Sequence, residues 1–245
     1  MKLLRTYFNE NLETTFWKDI IDNMYFPFDE KSNIFLQQDG YLDKEQLPAS
    51  KLPPKERPIN QHWSWDRILR SCFIKQADML QGVYLFEERF DTDFIKRHFE
   101  FYESRTVHES SLSPCVHSIL ATRIGNIEKA YELYLRTSRL DLDDYNNEVH
   151  EGLHITSMAG TWMSIVEGFG GKRMYDEKLI LNPRIHKTWQ EYSFRILIEN
   201  NDLLVTVNKQ EVSLFYHGQL PIKICIFKND IELVNGVLQK VKMIE

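Results

Sequence analysis

Cysteine is scarce: Cys72, Cys115 and Cys225 lie far apart, with no CxxC spacing among them. That excludes a disulfide framework and a thiolate metal cluster, and reads as reduced, buried thiols of a cytoplasmic protein. Long apolar runs are also missing. Met1–Arg5 leads into the mixed stretch Tyr7–Asn11 instead of an apolar signal core, and nothing resembles a transmembrane span. Nor is there an excess of basic charge, since 30 Lys and Arg face 36 Asp and Glu for a formal net charge of -6. Nucleic-acid affinity comes mainly from neutralising backbone phosphates with Lys and Arg, so a polyphosphate partner is disfavoured. A small anion stays open, because one local pocket can be positive on an acidic protein. The phosphate-loop, dinucleotide and nucleophile-elbow patterns GxxxxGK[ST], GxGxxG and GxSxG do not occur.

Aromatic residues, by contrast, are abundant at 13%. Sugar sites often use aromatic faces, although a large aromatic core is the better account of most of these rings. The 245 residues suffice for one large domain, or one domain with a small appendage.

The hydrophobic period divides the chain. Up to about residue 175 it is helical: Leu12, Phe16, Ile20 and Met24 form one set, and Ile74, Met79, Leu80 and Val83 another. Phe94, Ile95, Phe99 and Tyr102 repeat the pattern, as do Val116, Ile119 and Leu120, then Ile127, Ala130, Leu133 and Leu140. A last helix is predicted over about Ile155 to Phe169, and Asp91 and Asn126 are expected N-caps. Between the first helices lies a proline-bearing stretch from about Phe26 to Pro58 that cannot be continuous helix. Its run Ile34–Gly40 is too apolar for a linker and is expected to line something.

From Lys178 onward the period becomes strand-like. Ser193–Ile198 alternates, Asn200 and Asn201 supply a turn, and Leu203–Val207 answers as a hairpin partner. Val212–Tyr216, Ile222–Phe227 and Ile231–Val234 extend an antiparallel β-rich appendage. The expected fold is therefore mainly α, residues 1–177, followed by a β-rich domain over residues 178–245.

Three segments could carry chemistry. Lys75 and Gln76, before a helix opening at Asp78, offer ammonium and amide donors plus an acceptor, a set suited to sugar hydroxyls. Lys75 also fits an ordinary solvated helix-start residue. His108-Glu109-Ser110-Ser111 places two hydroxyls before a helix starting near Ser113 or Pro114, where unpaired amides can bind an anion. Simple capping by Ser110 or Ser113 explains the same pattern. In the segment Glu151–Trp162, Ser157, Gly160, Thr161 and Ser164 share one helix face, with His154 at its approach. Such a stripe admits either a ligand or a close helix neighbour.

Two metal readings are weaker. His150–His154 spells HEGLH, matching the HExxH zinc-protease letters, but Gly152 interrupts it and a third ligand is missing. Asp141-Leu142-Asp143-Asp144 lacks EF-hand spacing and reads as solvated carboxylates. No metal is expected.

Taken in order, these segments resemble glycoside hydrolase family 65, the phosphorylases of maltose, trehalose, kojibiose and related α-glucosides. The matching stretches are Phe35–Gly40, Ile59–Arg67, Ile74–Gly82, Thr106–Ser118, Lys129–Thr137 and Glu151–Trp162. The resemblance implies the C-terminal part of an (α/α)6 barrel followed by a small antiparallel β-domain. It implies that Lys75 and Gln76 bind the glucosyl unit, and that Ser110, Ser111, His154, Ser157, Gly160 and Thr161 lie on the phosphate side of the pocket. The implied reaction is inverting phosphorolysis, with maltose and phosphate giving glucose and β-glucose 1-phosphate.

In that reaction a carboxylic acid protonates the glycosidic oxygen while phosphate, already a nucleophile, replaces the base-activated water of an inverting hydrolase. Inorganic phosphate is then a substrate, and no cofactor is needed. The segments Phe35–Gly40 and Ile59–Ser71 look most like the maltose-specific members, with trehalose, kojibiose and nigerose as alternative substrates. A non-catalytic sugar- and phosphate-binding module is the other alternative. Members of the family are longer, are expected to be homodimers, and carry their general acid in a GPDEY-like segment that does not occur here. The expectation is that this chain alone is inactive, with its acid upstream of Met1, and that an opened barrel would expose apolar helix faces.

Overall fold

A computed structural model describes residues 10–198 and 200–244, with the side chains of Glu10, Asn11 and Leu12 outside that description. The reading of Met1–Asn9 and the Leu12 position of the first helical set therefore lie outside the described residues. The chain divides into a unit ending at Tyr41 and a unit beginning at Leu42.

In the first unit, helix α1 spans Glu10–Asn23 and exposes Phe16, Trp17, Ile20 and Ile21. A short hairpin pairs β1 (Phe28–Asp29) with β2 (Ile34–Phe35), so part of the expected lining run is strand. Its turn forms because the Asp29 carboxylate accepts from the Ser32 backbone at 2.7 Å, and Phe28 meets Phe35 edge-on across the pair.

The second unit begins with irregular chain and short helices α2 (Ile59–His62) and α3 (Trp65–Arg70), consistent with its prolines. Longer helices follow: α4 (Asp78–Leu85), α5 (Thr92–Glu103), α6 (Ser113–Arg123), α7 (Ile127–Ser138) and α8 (Ile155–Met163), which runs into a π-helical segment, Ser164–Phe169. Both expected caps form: Asp91 accepts from the Phe94 amide at 2.7 Å and Asn126 from the Lys129 amide at 3.2 Å. The α5 and α7 helices each bury one stripe, Ile95, Phe99 and Tyr102 on the first and Ala130, Leu133 and Thr137 on the second.

The α6 helix differs. Every residue from Ser113 to Thr122 is buried, and the helix packs against α4, α5, α7, α8 and the π-helical segment. A helix surrounded on all sides needs small or internally bonded residues. Accordingly the Ser118 hydroxyl donates to the Ala130 carbonyl at 2.8 Å, and Thr122 bonds back to Ser118 at 2.9 Å. No helix among the described residues is long and apolar enough to cross a membrane.

Strands begin at β3 (Arg173–Tyr175) and continue as β4 (Lys178–Leu181), β5 (Glu191–Ile198), β6 (Asn201–Asn208), β7 (Glu211–His217), β8 (Ile222–Ile226), β9 (Asn229–Leu233) and β10 (Leu238–Lys242). They form two four-stranded sheets, β10-β7-β6-β5 and β3-β4-β8-β9. Pairing is antiparallel, as expected, with one correction: β4 runs parallel to β8. A long connection through the first sheet separates these two strands, which permits parallel pairing where a hairpin would not. Alternation sets the core, with Leu203, Val205 and Val207 of β6 facing inward beside Val212, Leu214 and Tyr216 of β7. Val166 of the π-helical segment joins this core. Tyr192 fastens the junction by donating to the Phe169 carbonyl at 2.7 Å.

Candidate active site

Backbone pairing brings the first two chemical segments together. Ile74, just before Lys75, donates to the Arg105 carbonyl at 3.0 Å and accepts from the Val107 amide at 2.9 Å. Lys75 and Gln76 thus lie in a bend ahead of α4, beside the turn that carries His108–Ser111. The Ser110 hydroxyl donates to Gln76 Oε1 at 3.2 Å and accepts from the Leu112 amide, while Lys75 is exposed. The third segment joins through its neighbour in sequence: Ser111 Oγ and Thr156 Oγ1 lie 2.6 Å apart. Gln76, Ser110, Ser111 and Thr156 therefore link all three segments by side-chain hydrogen bonds.

The turn at His108 is held by buried polar contacts. His108 adopts φ 54°, a left-handed conformation rare outside glycine, and such a backbone persists only when its surroundings fix it. Its ring meets Ser113 Oγ at 2.8 Å and Glu103 Oε2 at 3.1 Å, and Arg136 donates to its carbonyl at 2.7 Å. His117 also bonds Glu103 Oε2, with Lys129 3.4 Å from the other carboxylate oxygen. Burial pushes the His108 ring down to about 4 against the opposing pull of Glu103, so the ring is neutral. Burial would raise the Glu103 carboxyl, but its hydrogen bonds with His108 and His117 outweigh it and hold it well below the usual range.

Glu103, His108 and His117 are also the group among the described residues whose potential metal-ligand atoms gather within 4.8 Å. Hydrogen bonds of both histidines to Glu103 and the nearby Lys129 ammonium hold this group together. Sequence reasoning missed this network because Glu103 and His117 fall on different helices with no motif between them.

His154 does not stand alone at the approach to α8. Its amide donates to Asp141 Oδ2 at 2.9 Å, its Nδ1 meets Asp141 Oδ1 at 2.6 Å, and Glu148 lies 3.8 Å from its Nε2. Those contacts overcome slight burial and keep the Asp141 carboxyl below its ordinary range. This corrects the reading of Asp141–Asp144 as merely solvated: Asp141 orients a histidine, Asp143 binds Arg139, and Asp144 accepts from the Glu148 amide. Asp141 thus orients the ring through Nδ1, and the Nε2 edge faces the Glu148 carboxylate without a hydrogen bond to it.

The HEGLH letters do not form a helical metal pair. Val149–Glu151 is a single 3-10 turn, Gly152 at φ 125° breaks the chain direction, and His150 is exposed.

The small-residue stripe resolves toward packing. Ser157 is buried and donates to the Thr137 carbonyl at 2.6 Å, and Thr161 donates to Ser157 within its own helix at 2.9 Å. A Cβ at Gly160 would lie 2.9 Å from Cys115 Cβ. Ser157 and Gly160 are thus turned to α6 and α7, correcting their placement on the phosphate side, and Thr161 spends its hydroxyl inside α8. The opposite face carries exposed Ile155, Met158 and Trp162. Spacing could not separate the two faces, because a ligand and a neighbouring helix both demand small residues.

The second unit thus joins a helix-rich region, with polar groups from three segments brought together, to two four-stranded sheets. Residues 6–163 match the glycosyl hydrolase family 65 central catalytic domain, and residues 173–233 match that family's C-terminal domain. The chain belongs to glycosyl hydrolase family 65. It is 54% identical over 203 residues to maltose phosphorylase of Bacillus subtilis, covering 83% of this chain and 27% of that protein. It is 39% identical over 227 residues to α,α-trehalose phosphorylase of Thermoanaerobacter brockii, covering 93% and 29% respectively. A solved structure from the human microbiome, provisionally titled a kojibiose phosphorylase, superposes with TM-score 0.87 at 37% identity, covering 97% of this chain and 31% of that one. The chain thus spans less than a third of the length of these relatives.

Proposed function

We propose that this chain forms the glucosyl- and phosphate-binding part of an inverting α-glucoside phosphorylase, within a larger (α/α)6 barrel, and that its disaccharide is maltose. The observation that carries the reading is the pair of contacts Gln76–Ser110 and Ser111–Thr156, which puts sugar-type and anion-type donors side by side. Identity of 54% to a maltose phosphorylase, against 39% to a trehalose phosphorylase and 32% to a kojibiose phosphorylase, favours maltose over the other disaccharides. The helical region through residue 177 would hold the substrates and the strands beyond it would brace that region.

Lys75 and Gln76 would bind the glucosyl hydroxyls. Ser110, Ser111, Thr156 and the Nε2 edge of His154 would hold inorganic phosphate, a substrate, in line with the anomeric carbon. Positioned hydroxyl and imidazole donors spread the charge of an attacking anion without needing a metal. Asp141 orients His154, and α8 is seated by Ser157 and Gly160, which act on the site through packing. No residue of this chain is assigned as the acid that protonates the glycosidic oxygen.

Binding measurements test the assignment. Lys75→Ala should weaken maltose binding at least tenfold with phosphate binding little changed, and Ser111→Ala should do the reverse. Calorimetric titrations with maltose, trehalose, kojibiose and phosphate read both effects. Unaltered affinities in both variants, or tighter binding of trehalose or kojibiose than of maltose, would overturn the site or the substrate respectively.

A further inference from the structure

We propose a second anion site on this unit: the cleft between Arg57, Arg136 and Asn146 takes a small oxyanion of the inorganic phosphate class. It stands on residues separate from those of the function proposed above, since Lys75, Ser110, Ser111 and Thr156 do not line it. The cleft is an open groove of about 460 Å³, lined also by Ser50, Pro54 and Tyr145 among others.

Both guanidiniums are fixed before any ligand arrives. Arg57 donates through Nε to Glu109 at 3.1 Å and through Nη2 to the Val107 carbonyl. Arg136 donates through Nε and Nη2 to the His108 carbonyl, at 3.3 and 2.7 Å, and lies over the Tyr145 ring. Neither Nη1 has a hydrogen-bonding partner among the described residues. Asn146 supplies the independent sign of a missing ligand: the residue is 3% exposed, lines the cleft, and its Nδ2 is buried with no partner among the described residues. A buried amide donor left unpaired is costly, and a shift of the Asn146 side chain toward an acceptor in the cleft would remove that cost.

The charges point the same way. Two guanidiniums face one lining carboxylate, Glu109, and its oxygens are already engaged by Arg57 and by the Ile59 amide at 2.7 Å. Glu132, the other carboxylate acting on Arg136, pairs with Lys129 at 3.0 Å. Burial, and then the charge of Arg57, both push the Arg136 guanidinium below its ordinary range. An anion between the two arginines would relieve that repulsion, and planar guanidiniums match the oxygens of a tetrahedral anion.

The test is titration of inorganic phosphate into the full chain at neutral pH and low ionic strength, where screening is least. Asn146→Asp keeps the side-chain shape while replacing a donor with a carboxylate, and Arg57→Gln removes one guanidinium. Both should weaken one phosphate-binding component at least tenfold, whereas Ser111→Ala should leave that component intact. In heteronuclear NMR spectra the Asn146 side-chain amide should shift on adding phosphate. The proposal fails if folded Asn146→Asp binds phosphate as the parent chain does, if that amide stays unmoved at saturation, or if Ser111→Ala abolishes all phosphate binding.

Discussion

Replacing Gly160 with alanine adds one methyl group where α8 crosses α6. The new Cβ would sit 2.9 Å from Cys115 Cβ, 3.1 Å from Cys115 Sγ and 3.2 Å from Thr137 Cγ2. Cys115 Cβ is fixed to the backbone of a helix buried from Ser113 to Thr122, so it cannot swing away. Relief must come from moving a helix, at the upper end of the ~1–3 kcal/mol typical of overpacking. Alanine's better helix propensity returns about 1 kcal/mol. The expected net loss is roughly 2 kcal/mol, a fall in melting temperature of roughly 4–8 °C for a chain of this size. Thermal and urea unfolding followed by circular dichroism would measure it. Cys115→Gly removes the two nearest clashing atoms, so the double variant should recover up to about 3 kcal/mol, the overpacking part alone, relative to additivity. If Gly160→Ala instead melts at or above the parent temperature, α8 does not pack on α6 at this distance, and the stripe is open to a ligand after all.

Acid should destabilise the folded chain from about pH 6.5 downward, through His108. His108 takes up its proton near pH 4 when folded but near the ordinary imidazole value of about 6.5 when unfolded, so its contribution is complete above pH 6.5 and is lost as pH falls toward 4. The shift corresponds to about 3 kcal/mol, and depression of Glu103 adds further loss at lower pH. Urea midpoints that stay level from pH 7 to pH 5 would contradict the buried, neutral ring. Asp91→Ala removes the cap on the Phe94 amide and should cost about 1 kcal/mol by denaturant unfolding. A stability equal to that of the parent would show that the α5 terminus is satisfied in another way.

Much of the fold was legible along the chain because its signals are local. Asp91 and Asn126 cap the helices expected of them, since a cap and its amide are three residues apart. The alternation that made β5, β6 and β7 readable follows from the period of two in a strand. The parallel pairing of β4 with β8 was not legible, because it joins segments separated by a whole sheet. The family, too, was written in the sequence, in motifs whose order survives without knowledge of any contact.

What sequence alone determined, then, was the helical and strand periods, the caps, the family and the set of residues able to do chemistry. Tertiary structure decided which of those residues share a site. It joined Ser111 to Thr156, put Asp141 behind His154, turned Ser157 and Gly160 into a helix contact, and aligned Arg57 with Arg136 around one cleft. The reason is geometric: spacing fixes which residues lie on a common helix face, but only packing between distant segments determines whether that face meets a ligand or another helix.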